Sequence, residues 1–359
     1  MLILLLCCAL ASPKPWKIRG STPEKSVQHD QLFTPSQSGW AKGEMQTDPA
    51  DLKKIATTTL EYLESNHLTD TKGVQPGILE RYNITMDDVR KTLLLISKTI
   101  QTDPEKIKSQ EWWEKNFKFY KWQPEVLDQE QKASDKIRLT KYVIYEVHGS
   151  LEKSKQYPHA LWAVPKEEQK KTAVQLEQDP NLLRKTLTRQ DIIAGALEKT
   201  HKGKAEPLIW LSENSIYEAI LQGTIAVKLP DGEFRWFNVH RSNDMPYIRG
   251  ETQRNQKRYW YFKQVNGAYG WGNDELGKIS LTPMVTVAGD VENLGLGKLF
   301  WLRDDEKIYL SVLSDTGGAF QPNLHQLDWF LGVVKDKATL KTRTQKLPSH
   351  VNAGIIIAR

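Results

Sequence analysis

A mainly β protein with flanking helices, organised as one β-barrel core carrying a smaller inserted β region, is the fold class that this sequence predicts. Two textures carry the prediction. Up to about residue 136 the apolar residues recur at helical spacing. After it come nine short runs such as "RLTKYVIYEVHG", "EFRWFNVH", "KIYLSVLS" and "QLDWFLGVV", rich in β-branched and aromatic residues and separated by Gly, Pro, Asn and Asp. A third observation is local: "LPDGEF" (229–234) places Asp-Gly between two such runs, the signature of a tight hairpin.

Taken in order, "MLILLLCCALAS" reads as a short apolar segment ending in Ala9-Leu10-Ala11, a small-residue cleavage signal, so residues 1–11 are expected to be an export signal. Lipidation at Cys7 or Cys8 ranks below plain secretion, because Leu6 stands where a lipobox needs a small residue. Residues 12–47 are rich in Ser, Pro, Lys and Gln without periodicity and are expected to be a linker. Over 48–136, Leu52, Ile55, Ala56, Leu60 and Leu63 share one helical face. Met86, Val89, Leu93, Ile96 and Ile100 share another, with Thr85 as N-cap and Asp88 completing a capping box. "QEWWEKNFKFYKW" (110–122) is expected to be one further helix. Residues 137–255 hold the inserted β region with flanking barrel strands, interrupted by a helix near 188–199 that Thr188 caps, and 256–332 hold the C-terminal barrel strands. Residues 333–359, which contain "KDKATLKTRTQK" from Lys335, are expected to be a basic tail.

Composition excludes several functions. At 359 residues with 39% hydrophobic and 26% charged, the chain is long enough for two domains and ordinary for a globular protein. Its 50 basic and 44 acidic residues leave +6, a mild excess that does not demand nucleic acid. Both cysteines lie in the export signal, so the mature chain has no disulfide, thiolate metal site or cysteine nucleophile. "GNDELGK" (272–278) resembles a P-loop, but Ile279 replaces the Ser or Thr that would reach magnesium, and no apolar strand precedes it. The eight histidines show no ligand spacing, and no G-x-S-x-G elbow is present. Neither a metal nor another cofactor is expected. The twelve Trp and twelve Tyr supply flat faces of the kind that hold sugar rings, although most such residues pack cores.

Three aspartates remain. Asp290 ends "LTPMVTVAGD", Asp315 opens "DTGGA" 25 residues later (315 minus 290), and Asp328 lies 13 beyond that (328 minus 315) between Leu327 and Trp329. On a strand, Asp328 shares its face with Gln326 and Phe330 while Leu327 and Trp329 point the other way, so a carboxylate can line a groove from an apolar strand.

In this phrasing the triplet resembles the membrane-bound lytic murein transglycosylase A family, whose 3D domain is named for three aspartates. The likeness extends, in order, from about residue 48 to 332. "IRLTKYVIYEVHGSLEKSKQYPHALWAVP" resembles its T-G-Y-Y/F and Y-P-x-Y-x-x-P stretches, "RQDIIAGAL" its R-x-x-I-x-x-G-A-L helix, "LQGTI" its Q-G-S-G and "SNDMPYIRG" its N-G-x-P-Y-x-S-I-G. The resemblance implies a double-psi β-barrel with an inserted smaller β domain and a groove between them. It implies cleavage of the bond between N-acetylmuramic acid and N-acetylglucosamine in peptidoglycan, with formation of 1,6-anhydromuramic acid. Asp328 matches the catalytic carboxylate, with Asp315 and Asp290 in support, and Thr140, Tyr142, Gln222 and Gly223 are expected at the substrate. The partner is the peptidoglycan glycan strand, with no nucleic acid. The protein is expected to be a monomer, exported to the periplasm or outer membrane, with peripheral membrane association. A non-catalytic glycan-binding protein and a water-using muramidase are the alternatives. Lys141, Thr224-Ile225 and Asp244 depart from the family, standing where it has Gly, Ser-Gly and Gly.

Overall fold

The computed structural model describes residues 32–36, 43–124, 126–127, 133–168, 171–220, 222–248, 250–273, 277–317, 320 and 323–359. The expected export signal, with Cys7 and Cys8, and most of the expected linker lie outside these residues. Inside the stretch expected to be a linker, β1 (Phe33–Ser36) and β2 (Glu44–Met45) are paired strands, and Leu32 and Phe33 are buried.

The helices form where the apolar spacing puts them. Asp48 caps α1 (Pro49–Ser65), which buries Leu52, Ile55, Ala56, Leu60 and Leu63. The Thr85/Asp88 capping box opens α2 (Met86–Thr102), whose buried Val89, Leu93, Ile96 and Ile100 lie on the face packed against α1. The helix expected over 110–122 is shorter: α3 (Gln110–Asn116) runs straight into β3 (Phe117–Trp122). Phe117 and Phe119 are buried with Lys118 exposed between them, a period of two that suits a strand, and aromatic residues favour the pleat.

A short pair, β4 (Val126–Leu127) and β5 (Ala133–Ser134), leads to β6 (Ile137–Ser150), the longest strand. Beyond it lie β7 (His159–Trp162), three short helices α4 (Ala173–Gln178), α5 (Leu183–Thr186) and α6 (Arg189–Ile193), then β8 (Pro207–Leu211) and α7 (Glu213–Ala219). The Thr188/Asp191 capping box starts α6 as expected, but the helix stops five residues on, and Gly195 follows at φ +93° in the left-handed region. Next come β9 (Thr224–Lys228) and β10 (Phe234–Ser242), joined across the Asp-Gly loop with Phe234 opposite Lys228, and β11 (Trp260–Val265). The chain then forms the hairpin β12 (Tyr269–Asn273) and β13 (Gly277–Ser280), then β14 (Thr286–Ala288), α8 (Val291–Leu294), β15 (Leu299–Asp304), β16 (Lys307–Asp315) and β17 (Gln326–Val334). It closes with α9 (Lys337–Thr344) and β18 (His350–Ala358).

The basic tail expected over 333–359 is therefore not a tail. Its basic part is the solvated helix α9. The apolar "HVNAGIIIA" that follows is buried as β18 between β15 and β3, because Val351, Ile355 and Ile356 would otherwise face water.

The fold is mixed and dominated by sheet. Six strands pair in a closed cycle: β6 with β17 in parallel, β17 with β14, β14 with β16 in parallel, β16 with β15, β15 with β18, and β18 back to β6. One apolar core lies beneath this cycle and the first helices, and a second gathers β7 to β11 with their helices. Strand β6 belongs to both, pairing β17 along its first half and β9 and β8 near its end. A small cluster of Ile144, Ala226, Leu281 and Phe330 fills the junction. Among the described residues no helix is long and apolar enough to cross a membrane.

Candidate active site

A groove of about 1040 Å³ opens where the two cores meet. Asp328 reaches it because β17 alternates: Leu327 and Trp329 are fully buried on one face, with the Trp329 Nε1 donating to the Met284 carbonyl at 2.9 Å, and Asp328 stands half-buried on the other. Its Oδ1 has no hydrogen-bond partner in the protein. Burial pushes its carboxyl up to about 6, against the neighbouring Thr140 hydroxyl and the charges of Lys141 and Arg138.

Asp315 approaches the same groove from the end of β16. Tyr142 Oη donates to its Oδ2 at 2.8 Å and the Thr316 amide to its Oδ1 at 2.8 Å. Burial raises its carboxyl to about 7; the Tyr142 and Thr316 hydrogen bonds oppose this, and the charge of Asp328 adds to it. Gly270 backs this carboxylate closely: a Cβ there would lie 2.8 Å from the Ser314 carbonyl oxygen and 3.0 Å from Asp315 Cβ. Tyr142 is held by its ring against Phe330, centroids 5.1 Å apart.

Registry sets the spacing. Ala288 is paired with Asp315 on one side and with Asp328 on the other, and Asp328 is paired in turn with Thr140. The two aspartates therefore sit two strands apart, with Cα atoms roughly 9–10 Å apart from ordinary strand spacing. Ala288, between them in the registry, also lines the groove.

The other expected residues divide. Gln222 and Gly223 line the opposite wall: Gln222 Oε1 accepts from the Tyr145 amide at 2.8 Å, and the Gly223 carbonyl accepts from Asn238 Nδ2 at 2.9 Å. The Thr140 hydroxyl lies just behind Asp328, donating to the Leu327 carbonyl and accepting from Gln326 Nε2. Asp290 is elsewhere. It is fully buried, caps α8 through the Asn293 amide, and takes further hydrogen bonds from Asn293 Nδ2 at 2.5 Å and the Asn323 amide at 2.8 Å. It ties the start of α8 to the segment leading into β17. Among the described residues no group of His, Cys, Asp and Glu could hold a metal ion.

No protein-family model matches the sequence, and no curated protein matches it. Solved structures do. A membrane-bound lytic murein transglycosylase from Agrobacterium tumefaciens aligns over 92% of this chain and 96% of its own, with 18% identity and a TM-score of 0.59. MltA from Neisseria gonorrhoeae aligns over 91% and 90%, with 15% identity and a TM-score of 0.58. MltA from E. coli with bound chitohexaose aligns over 91% and 94%, with 12% identity and a TM-score of 0.55. The chain has the MltA fold.

Within this MltA fold the departures noted in the sequence fall mostly outside the groove. Lys141 turns its ammonium to the Leu139 and Pro348 carbonyls, and Ile225 is buried in the second core. Asp244 adopts φ +58°, a left-handed position where the family's glycine is unstrained and Asp is among the better-tolerated replacements; its carboxylate pairs with Arg184 at 2.8 Å. Thr224 alone faces the groove, with its hydroxyl accepting from Asn238 Nδ2 at 2.7 Å.

Sequence reasoning missed other groove residues. Trp271 donates from Nε1 to Asp70 Oδ2 at 2.6 Å, and Tyr62 donates to the same oxygen at 2.9 Å, so an aspartate from the helical region locks an aromatic wall. Lys278 belongs to the "GNDELGK" motif rejected as a P-loop. It lines the groove, is hydrogen-bonded to Asn238 and the Val239 carbonyl, and lowers the pKa of Asp315 by its charge. The available signal was "YGWGN", a tryptophan between two glycines, which suits a strand that presents one flat ring.

Proposed function

We propose that this chain is a peptidoglycan lytic transglycosylase, cleaving the β-1,4 bond between N-acetylmuramic acid and N-acetylglucosamine and closing a 1,6-anhydro ring on the muramic acid. The observation that carries the reading is Asp328: a carboxyl raised to about 6, with one buried oxygen left unpartnered, on a residue that lines the groove of a chain with the MltA fold. On this reading the closed cycle of six strands is the double-psi β-barrel, β7 to β11 belong to the inserted domain, and the protein works as an exported monomer on glycan strands. The chitohexaose complex of E. coli MltA supports a glycan as the groove's occupant.

The chemistry needs one group to act twice. Protonated Asp328 gives its proton to the glycosidic oxygen as the bond to muramic C1 breaks, releasing the 4-hydroxyl of N-acetylglucosamine. The resulting carboxylate then takes the proton of the muramic C6 hydroxyl as its oxygen bonds to C1. Asp328 ends protonated again and no water is consumed. A pKa near working pH serves both steps. Asp315, held by Tyr142 and Thr316, positions the groove edge and keeps a second proton nearby, while Asp290 secures the approach to β17.

One observation favours a second reading. Asp315 is a second carboxyl lining the same groove across Ala288 from Asp328, the placement of a water-activating base in an inverting muramidase, although its carboxyl, raised to about 7, is the later of the two to ionise. Mass spectrometry of murein digested by the purified protein separates the two. The expected products are 1,6-anhydromuropeptides. New reducing muramic acid ends would establish the muramidase instead, and absence of any product would leave a glycan-binding protein.

A further inference from the structure

Behind Gln222 lies a second cavity of about 780 Å³, and Gln222 lines both it and the groove. Its lining includes Glu146 of β6 and Glu218 of α7, and, from a different part of the chain, Lys335 and Lys337 on either side of Asp336 at the start of α9. These charges are not spent on each other. Among the described residues Glu146 has only long pairs, 3.7 Å to His148 and 3.8 Å to Lys228. Glu218, Lys335 and Lys337 form no ion pair among the described residues. Asp336 is engaged in capping, accepting from the Thr339 amide at 2.7 Å, which leaves the two ammonium groups and the first turn of an eight-residue helix as the positive part of the lining.

Solvated surface charges alone would mean little. Here two carboxylates and two ammonium groups line one cavity that meets the groove at Gln222, whose side chain is held by the amide of Tyr145, itself a lining residue. A ligand complementary to both kinds of charge carries free carboxylate and free ammonium groups together. We propose that this cavity is a binding site for a short zwitterionic peptide borne by the sugar strand, its carboxylates toward Lys335 and Lys337 and its ammonium toward Glu146 and Glu218. The inference rests on the transglycosylase reading above: a peptide hung on muramic acid leaves the glycan sideways, and the opening beside Gln222 gives it an exit. The site makes peptide-bearing strands the preferred substrate over bare glycan.

The test compares wild type with two double variants, Glu146→Gln/Glu218→Gln and Lys335→Gln/Lys337→Gln, all at exposed or half-buried positions outside the Asp328 groove. Turnover is measured on peptide-bearing glycan strands and on the same strands stripped of peptide, and calorimetry follows binding of free L-Ala-γ-D-Glu-meso-diaminopimelate. Losing two exposed charge pairs should raise KM on peptide-bearing strands by about 10-fold, leave the stripped strands unchanged, and weaken free-peptide binding. Equal KM for the two substrates in wild type, equal shifts on both in the variants, or free-peptide binding that the substitutions leave intact would each overturn the peptide site. If no variant or wild type turns over either substrate, yet free peptide binds wild type and not the variants, the peptide site stands and the transglycosylase reading falls.

Discussion

Asp328→Asn should remove activity and stabilise the fold, and the two effects have one cause. In the folded chain the carboxyl titrates near 6 rather than at 3.8, so between those values the native state holds a proton that the unfolded state has lost. Stability therefore declines as pH rises through this window and stays lowered above it. Below about pH 3.8 both states are protonated and no penalty remains. A shift of roughly two units corresponds to about 3 kcal/mol at most, and partial exposure of the side chain reduces the expectation to about 1–3 kcal/mol. Asparagine cannot ionise. The variant should match wild type in thermal midpoint at pH 4 and exceed it by a few degrees at pH 8. Turnover on murein should meanwhile fall by about 10⁴-fold or more, because general acid and base help are typically worth 10²–10⁴-fold each and one group supplies both. The assay is differential scanning calorimetry at the two pH values beside anhydromuropeptide release per folded molecule. A variant that is less stable at pH 8, or that keeps turnover within about 10-fold of wild type, would refute the catalytic assignment of Asp328.

Asp290→Asn should lower the thermal midpoint by an amount worth about 1–3 kcal/mol, since an amide donor would face the Asn293 and Asn323 donors, and the loss should be smaller at high pH because burial also raises the Asp290 carboxyl; turnover per folded molecule should change little. Tyr142→Phe removes the hydrogen bond that holds down the Asp315 pKa, so the higher of the two values in the pH profile of kcat/KM should move upward by roughly half a unit to one unit, and an unmoved profile would show that Asp315 does not titrate with the site. Activity should survive EDTA; loss on chelation with rescue by zinc or magnesium would assign the aspartates to an ion.

How much of this was legible depended on whether a residue's role is local. The helix faces of α1 and α2, the Thr85 and Thr188 caps and the alternation around Asp328 are fixed by neighbours a few positions away, and the sequence displays them. The 110–122 segment misled because WWEKNFKFYKW keeps apolar residues at both helical and alternating spacings until Phe117 chooses β18 as partner. The last strand was hidden by the basic helix before it. Trp271, Asp70 and Lys278 could not be assigned to the groove because pairs such as Trp271 with Asp70 are joined across about 200 residues of chain, and nothing in either local context names the other.

On the proposed reading, the registry of β14 lets a strand interior carry acid chemistry. A single buried carboxylate would be driven to stay protonated and would make a poor base; a fully solvated one would be ionised and a poor acid. Placing Asp315 and Asp328 on either side of Ala288 couples them, so that once Asp328 is ionised its charge helps retain the proton on Asp315. The order of release follows from burial: Asp315 is the more deeply buried and is raised further although Tyr142, the Thr316 amide and Lys278 favour its ionised form, so Asp328, near Lys141 and Arg138, ionises first. On the proposed reading, a pH near 6 leaves Asp328 partly protonated while Asp315 stays largely neutral, so Asp328 can give a proton in one step and take one in the next. Asp315, Ala288, Asp328 and Thr140 form one row across four neighbouring strands. The surrounding Leu327 and Trp329 supply the apolar packing that keeps the row in place.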